Sequence, residues 1–309
     1  MTSTEDLLSL LDAVVYADAF DTAVTLDELH RFARLRIARD EIAAILRDDP
    51  VLCEVVAEQA GLFSLRDSRG AGAGRPRRAQ RAHRLAQRAQ RVARVIRHVP
   101  FVRGIVLTGS TAADDAPPGA DADLLVLVQP GRLATVFLVL GSASSLTRRR
   151  LFCPNFYLRD DRLGISTESS YVARELAQAR TLVGDVLALR AANAWLGDVF
   201  PNLPEPDLGA AVAAGSGLQR LLEKPLRGGR GDALERWAAG VVRSRLCAHY
   251  GGAVPEDVAR AFESGHSLRF HGSGVADTTQ SRYASRRADL ASRLAHARSQ
   301  DRGQAGRSS

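Results

Sequence analysis

The stretch 104-GIVLTGSTAADDAPPGADADLLVLV-128 decides the fold. An apolar run leads into Gly109-Ser110, and a second apolar run follows the pair Asp121 and Asp123. Ten residues separate Ser110 from Asp121, so the pattern predicts two buried strands joined by a short polar connection. Pro130-Gly131 bounds the second strand, and residues 132–146 are predicted to form the next helix.

The residues at the ends of these strands suit a phosphate and a divalent cation. Glycine at 109 lets a backbone amide approach a phosphate without a Cβ in the way. Ser110 is expected to open a helix, whose N-terminal N–H groups favour an anion, with Thr108 beside it. Asp121 and Asp123 alternate along a strand, so both carboxylates are expected on one face. Paired carboxylate oxygens suit Mg²⁺, or Mn²⁺ in its place.

This Gly-Ser…Asp-x-Asp pattern resembles the signature of the nucleotidyltransferase superfamily that includes DNA polymerase β. The resemblance covers residues 101–200 and implies an α+β fold, with a polymerase β-like core of a small mixed sheet and helices. By position, Thr108, Gly109 and Ser110 would hold a nucleoside triphosphate (NTP), and Asp121 and Asp123 would bind Mg²⁺. The implied reaction moves a nucleoside monophosphate from the NTP to an acceptor and releases pyrophosphate.

The chain departs from the family pattern at two places. Many members carry Arg-Gly shortly after Gly-Ser, where this chain has Asp114-Asp115. Many members also place a third carboxylate on the strand after the intervening helix. That strand is predicted at LFCPNFYL, and its polar residue is Asn155, which cannot act as a base. Glu168 follows and is the acid expected to supply a base, although an ordinary acid in the first turn of a helix is the other interpretation.

The rest of the chain predicts four further segments. Residues 1–70 show three helical patterns: one at 4–15, one that begins after a capping box at Thr25, and one at 39–47. Two strands are predicted to follow them, in VLCEVV and GLFSLRD. This order is typical of a winged helix, and YADAFDTAVTLDEL resembles a segment of bacterial nucleotidyltransferase-domain proteins. The other predicted segments are a basic connecting helix at 71–100, a helical C-terminal region at 201–296 and a disordered tail at 297–309.

The distribution of charge limits the expected partners. Residues 1–70 hold seven Arg and fourteen Asp plus Glu, a net charge of about −7, so sequence-specific DNA binding by the winged helix is not expected. The connecting helix carries a basic stripe, which is either a solvated face or a cationic wall for a triphosphate or RNA. The stripe consists of Arg77, Arg81, Arg84, Arg88 and Arg91.

Three functions remain open from the sequence. The first is transfer of a nucleotide to a small-molecule acceptor. The second is transfer to RNA or to a protein partner, and the third is a catalytically inactive interaction protein on the same fold. No apolar run is long enough to span a bilayer and the N-terminus is acidic, so no membrane association and a cytoplasmic location are expected.

Overall fold

The computed structural model describes residues 3–68, 72–147, 151–165, 169–205, 211–269 and 274–305. These residues form helices and two small sheets, which confirms the predicted α+β class. Within the described ranges, no helix is both long enough and apolar enough to cross a membrane.

Residues 3–68 form short helices around a three-stranded antiparallel sheet. The helices are α1 (Thr4–Leu10), α2 (Asp12–Asp18), α3 (Leu26–Phe32), α4 (Arg39–Asp48) and α5 (Pro50–Val55). The strands are β1 (Val24–Thr25), β2 (Val56–Gln59) and β3 (Leu62–Leu65), in the order β1-β3-β2. The capping box at Thr25 is confirmed, because the hydroxyl of Thr25 accepts from the Glu28 amide at 3.2 Å and the Glu28 carboxylate accepts from the Thr25 amide at 2.7 Å.

The strand predicted at VLCEVV is wrong over most of its length. Residues Pro50–Val55 form α5, and only Val56 belongs to a strand. The Asp49 carboxylate accepts hydrogen bonds from the amides of Val51 and Leu52, at 2.9 and 3.1 Å. Proline at the first helical position fixes a helical φ, so the cap and the proline together outweigh the β-propensity of the valines.

The predicted basic helix is present as α6 (Arg75–Ile96). Its buried face consists of small and aliphatic residues, including Ala82, Ala89, Ala93 and Ile96. Of the predicted arginine stripe, Arg81 is half-buried and donates to the Ala116 carbonyl at 2.7 Å. The other four members are exposed: Arg77, Arg84, Arg88 and Arg91.

The second sheet carries the Gly-Ser and Asp-x-Asp segments at one end. Its strands are β4 (Val102–Thr108), β5 (Asp123–Val128), β6 (Cys153–Arg159), β7 (Arg180–Val183) and β8 (Ser267–Arg269). Their order is β7-β4-β5-β6-β8, in which only β5 and β6 are parallel. The crossover between this parallel pair is α8 (Leu133–Leu146). The strand predictions for β4, β5 and β6 are confirmed, whereas β7 and β8 were not predicted.

The remaining helices pack on both sides of this sheet and on the N-terminal helices. They are α7 (Gly109–Ala112), α9 (Ser170–Gln178), α10 (Val186–Ala192), α11 (Leu196–Val199), α12 (Gly217–Glu223), α13 (Gly229–His249), α14 (Glu256–Glu263) and α15 (Gly274–Ala305). Helix α9 ends at Gln178, and Arg180 begins β7.

The C-terminal residues divide between two hydrophobic cores. Val242 and Leu246 of α13 pack into the core of the second sheet, which β8 also joins. Leu290 and Leu294 of α15 pack into the N-terminal core. The stretch 201–296 is thus not one separate helical body.

The disordered tail predicted from residue 297 is also wrong as far as Ala305, since α15 continues to that residue. A helix anchored by buried leucines extends at low cost, because propagation is easier than nucleation.

Candidate nucleotide and metal site

The turn at Gly109 connects β4 to the short helix α7. Gly109 has φ +69°, a conformation that residues with a Cβ rarely adopt. A Cβ at this position would lie 2.5 Å from Oδ2 of Asp123, which pairs with Thr108 across the two strands. Both the backbone conformation and the approach of Asp123 therefore require glycine. The Gly-Ser and Asp-x-Asp segments, predicted to act together, are in direct contact.

Replacing Gly109 by alanine is expected to displace the Asp123 carboxylate and to lower Mn²⁺ affinity by about tenfold or more. The unfavourable φ adds a cost of about 1–3 kcal/mol in the free energy of unfolding. Gly119→Ala is the matched control, because Gly119 has φ +82° but a Cβ at this position would have nothing within 4 Å. Equal Mn²⁺ affinities for the two variants, measured by titration, would contradict this account of Gly109.

The carboxyl groups of Asp121 and Asp123 lie close together, as predicted, but the two residues do not share a strand. Strand β5 begins at Asp123, so Asp121 lies in the preceding connection rather than in alternation along the strand. The hydroxyl of Thr111 donates to the Asp121 carbonyl at 2.9 Å and holds this connection against α7. One oxygen of each carboxylate and the Cys153 thiol all lie within 4.8 Å of one another.

The chemistry of this group fits Mg²⁺. Two half-exposed carboxylates offer hard oxygen ligands, and water and phosphate oxygens normally complete the shell of Mg²⁺. The buried Cys153 thiol is a soft ligand that Mg²⁺ does not favour. Asp121 and Asp123 are therefore the residues that would hold the cation.

Asn155 lies where the sequence predicted it, beside the carboxylate pair. Its side-chain amide donates to Oδ1 of Asp123 at 2.8 Å. A neutral amide at this position orients Asp123 without adding a third negative charge. Glu168, the predicted base, lies outside the described residues.

Glu175 of α9 is a site residue that the sequence did not indicate. Its Oε2 accepts a hydrogen bond from the Gly109 amide at 2.9 Å, the amide predicted to hold a phosphate. Burial raises the pKa of Glu175 to about 7, and the hydrogen bond from Gly109 partly offsets this rise. Glu175 is 66 positions from Gly109 in the chain, and it stands in an ordinary amphipathic helix pattern, so no local signal could have identified it.

Tyr171 lies one helical turn before Glu175 and belongs to the same environment. Burial raises the pKa of Tyr171 well above its ordinary value, and the charges of Glu175 and Asp123 raise it further. Its hydroxyl therefore stays protonated and is available as a hydrogen-bond donor near both acids.

A cavity of about 260 Å³ opens beside these groups. Gly109, Ser110, Asp123 and Glu175 line one side, and the N-terminal helices line the other. The N-terminal residues that line it include Tyr16, Phe20, Thr22 and Phe32. The volume is slightly below the roughly 300–1,000 Å³ typical of small-molecule sites.

Asp114 and Asp115, the two acids that follow the Gly109 turn, are both paired with arginines. Asp115 is buried, accepts a hydrogen bond from Arg78 Nη2 at 3.0 Å and forms an ion pair with Arg75, whose Nη1 lies 3.2 Å away. Arg75 also pairs with Glu28 of α3. Asp114 pairs with Arg180 at the start of β7. These pairs tie the loop after α7 to three other segments, and Arg75 and Arg78 also line the cavity.

Comparisons with known proteins give no relative for this chain. No family model matches it, and neither a curated protein nor a solved structure is found to be similar.

Proposed function

We propose that this protein is a Mg²⁺-dependent nucleotidyltransferase that moves a nucleoside monophosphate from an NTP to a small-molecule acceptor. The contact between Gly109 and Asp123 carries the proposal. It puts the Gly109 backbone turn directly against a carboxylate pair suited to Mg²⁺. Metal ions held in this way stabilise the charge on both the entering and the leaving oxygen of a phosphoryl transfer.

The arrangement of the chain supports membership of the DNA polymerase β superfamily. The antiparallel pair β4–β5, followed by a helical crossover to the parallel strand β6, is a small mixed sheet of the expected kind. The N-terminal helices with their β2–β3 hairpin support a winged helix. Its role here is to cover the site rather than to read DNA, because its residues line the cavity and its net charge is negative.

The proposed reaction forms one bond and breaks one. The acceptor oxygen bonds to the α-phosphorus, the bond from this phosphorus to the bridging oxygen breaks, and pyrophosphate leaves. The proton of the acceptor hydroxyl passes to Glu175, which we assign as the general base in place of Glu168. Ser110 and the Gly109 amide bind the phosphates, so the triphosphate takes over the hydrogen bond that Glu175 now makes.

Replacing Glu175 by glutamine is expected to lower the transfer rate by about 100-fold, the lower end of the usual effect of a general base. The native kcat/KM should rise with pH through about 7, because this ratio reports the free protein and only the deprotonated carboxyl accepts the proton. The rate of the variant should be flat over that range. Nucleotide affinity should not fall, since the change removes a negative charge beside the phosphate-binding amide.

These effects are measured as initial rates from pH 5.5 to 8.5, alongside nucleotide binding by calorimetry. Glu263→Gln, an exposed acid of α14, is the matched control and should keep the native profile. An unchanged pH profile in Glu175→Gln would remove Glu175 from the reaction.

Two other functions have a specific observation in their favour. The exposed arginines of α6 favour transfer to RNA, which salt-dependent retention of the protein on RNA would support. The amide of Asn155 at the place of a third carboxylate favours an inactive scaffold, which would bind NTP with Mg²⁺ but release no pyrophosphate. Incubation with each of the four NTPs, Mg²⁺ and a cell extract as the source of acceptors separates these functions from the proposed one.

A further inference from the structure

A second and larger cavity, of about 580 Å³, lies against the sheet-edge strand β7. Helix α6 forms one wall, and α9 and α10 with the segment that follows them form the other. This volume lies within the roughly 300–1,000 Å³ of small-molecule sites. Much of the cavity surface is apolar and comes from leucines: Leu107, Leu176, Leu182, Leu189, Leu196 and Leu203.

The charged residues that line this cavity are mainly cationic. Arg31, Arg180 and Arg190 reach it, against the single acid Glu205 among the described lining residues. Arg180 is already paired with Asp114. Arg31 lies over the Phe32 ring, with its guanidinium carbon 5.9 Å from the ring centroid. In the described ranges, the side chains of Arg31 and Arg190 make no hydrogen bond or ion pair to another residue.

Arg190 is the cation of this cavity that an anionic ligand would stabilise most. Its side chain is half-buried, and burial lowers its pKa from the ordinary value, an effect that the charge of Glu205 partly offsets. A partly desolvated guanidinium without a close counter-ion gains from a carboxylate, sulfonate or phosphate placed beside it, because such hydrogen bonds are charge-assisted.

The larger cavity adjoins the candidate active site. Gln178 lines both cavities. Leu107 lines the larger one, immediately before Thr108 and Gly109, and it pairs with Arg180 across β4 and β7. The larger cavity therefore reaches β4 two residues before Gly109.

We infer that this cavity binds a small amphipathic anion, whose apolar body packs on the leucines and whose anionic group bonds Arg190. If the proposed nucleotidyl transfer holds, this molecule is the acceptor; the binding itself does not depend on that function. Its chemistry is a hydrophobic skeleton that carries one acidic group to bond the arginine and, as the acceptor, one hydroxyl. Neither an RNA backbone nor a neutral sugar belongs to this class.

The test uses 1-anilinonaphthalene-8-sulfonate, a fluorescent amphipathic anion, and N-phenyl-1-naphthylamine, which has the same skeleton without the sulfonate. Arg190→Met is expected to weaken sulfonate binding by about tenfold and to leave binding of the uncharged analogue unchanged. Gln87→Trp, which places an indole at an exposed position of the cavity wall, should weaken binding of both probes. Arg84→Met, on the exposed side of α6, is the matched control and should bind both probes as the native protein does.

Native-like sulfonate affinity in both Arg190→Met and Gln87→Trp, with thermal unfolding unchanged, would overturn the inference. Probe binding can be distinguished from the proposed reaction with Asp123→Asn. This variant should bind the sulfonate as tightly as the native protein does. Loss of nucleotidyl transfer with retained, Arg190-dependent probe binding would leave this site standing and remove only its assignment to the acceptor.

Discussion

Replacing Asp123 by asparagine is expected to lower the nucleotidyl-transfer rate by about a thousandfold or more. The Asp123 carboxylate lies against Gly109 and accepts from the Asn155 amide, so it is fixed at the centre of the site. Loss of one of two carboxylate ligands removes several kcal/mol of charge stabilisation, and about 4 kcal/mol corresponds to a thousandfold in rate. Initial rates, with Mn²⁺ affinity measured in parallel, check this prediction.

Asp40→Asn is the matched control for this variant. Asp40 is an exposed acid of α4, and its side chain is 97% accessible. The control should keep both the rate and the metal affinity of the native protein. A transfer rate for Asp123→Asn within tenfold of the native rate, in a folded protein, would show that Asp123 is not a metal ligand of the reaction.

Replacing Asp12 by alanine is expected to lower the free energy of unfolding by about 3–5 kcal/mol. Asp12 is 1% exposed and bonds Arg34 Nε at 2.7 Å, Arg174 Nη2 at 3.0 Å and the Tyr283 hydroxyl. Arg174 is itself buried and lies 4.1 Å from the Phe32 ring centroid. Removal of Asp12 leaves a buried guanidinium without its counter-ion, which is the costly case for a buried pair.

Denaturation by urea measures this loss as a shift of the midpoint. Asp27→Ala is the control, because its ion pair with Arg39 is exposed on both sides and should contribute less than about 1 kcal/mol. The double variant Asp12→Leu/Arg174→Met should recover much of the stability, since neither buried charge remains. A loss below about 1 kcal/mol in Asp12→Ala would contradict the central role of this cluster.

The Asp12 cluster also has a consequence for the candidate site. Asp12 is in α2, Arg174 in α9 and Tyr283 in α15, so the cluster joins three segments that are distant in the chain. Arg174 directly precedes Glu175, whose carboxylate bonds the Gly109 amide. The N-terminal core thus fixes the helix that delivers the proposed base.

The sequence predicted the parts of the molecule that depend on local patterns. The strands on either side of Gly109-Ser110 and Asp121 were predicted because apolar runs and turn residues specify them without distant partners. The same is true of the capping box at Thr25 and of the crossover helix α8. The local rule failed at VLCEVV, where Asp49 and Pro50 start a helix that the valines alone do not favour.

Features that depend on distant contacts were not predictable from the sequence. Glu175 acquires its environment only when α9 packs against the Gly109 turn. The pairing of Asp115 with Arg75 and Arg78 depends on how α6 lies over the loop after α7. Strands β7 and β8 are short edge strands, whose pairing with β4 and β6 rather than their residue pattern makes them strands.

The most direct test of the account follows nucleotide transfer with each of the four NTPs labelled at the α-phosphate. The purified protein is incubated with Mg²⁺ and a cell extract, alongside the Asp121→Asn/Asp123→Asn double variant and the Asp40→Asn control. The native protein and the control are expected to move the label from at least one NTP to a new product, with equal release of pyrophosphate. The double variant is expected not to do so. Transfer by the double variant at the native rate, or Mg²⁺-dependent NTP binding by the native protein without any transfer, would contradict the account.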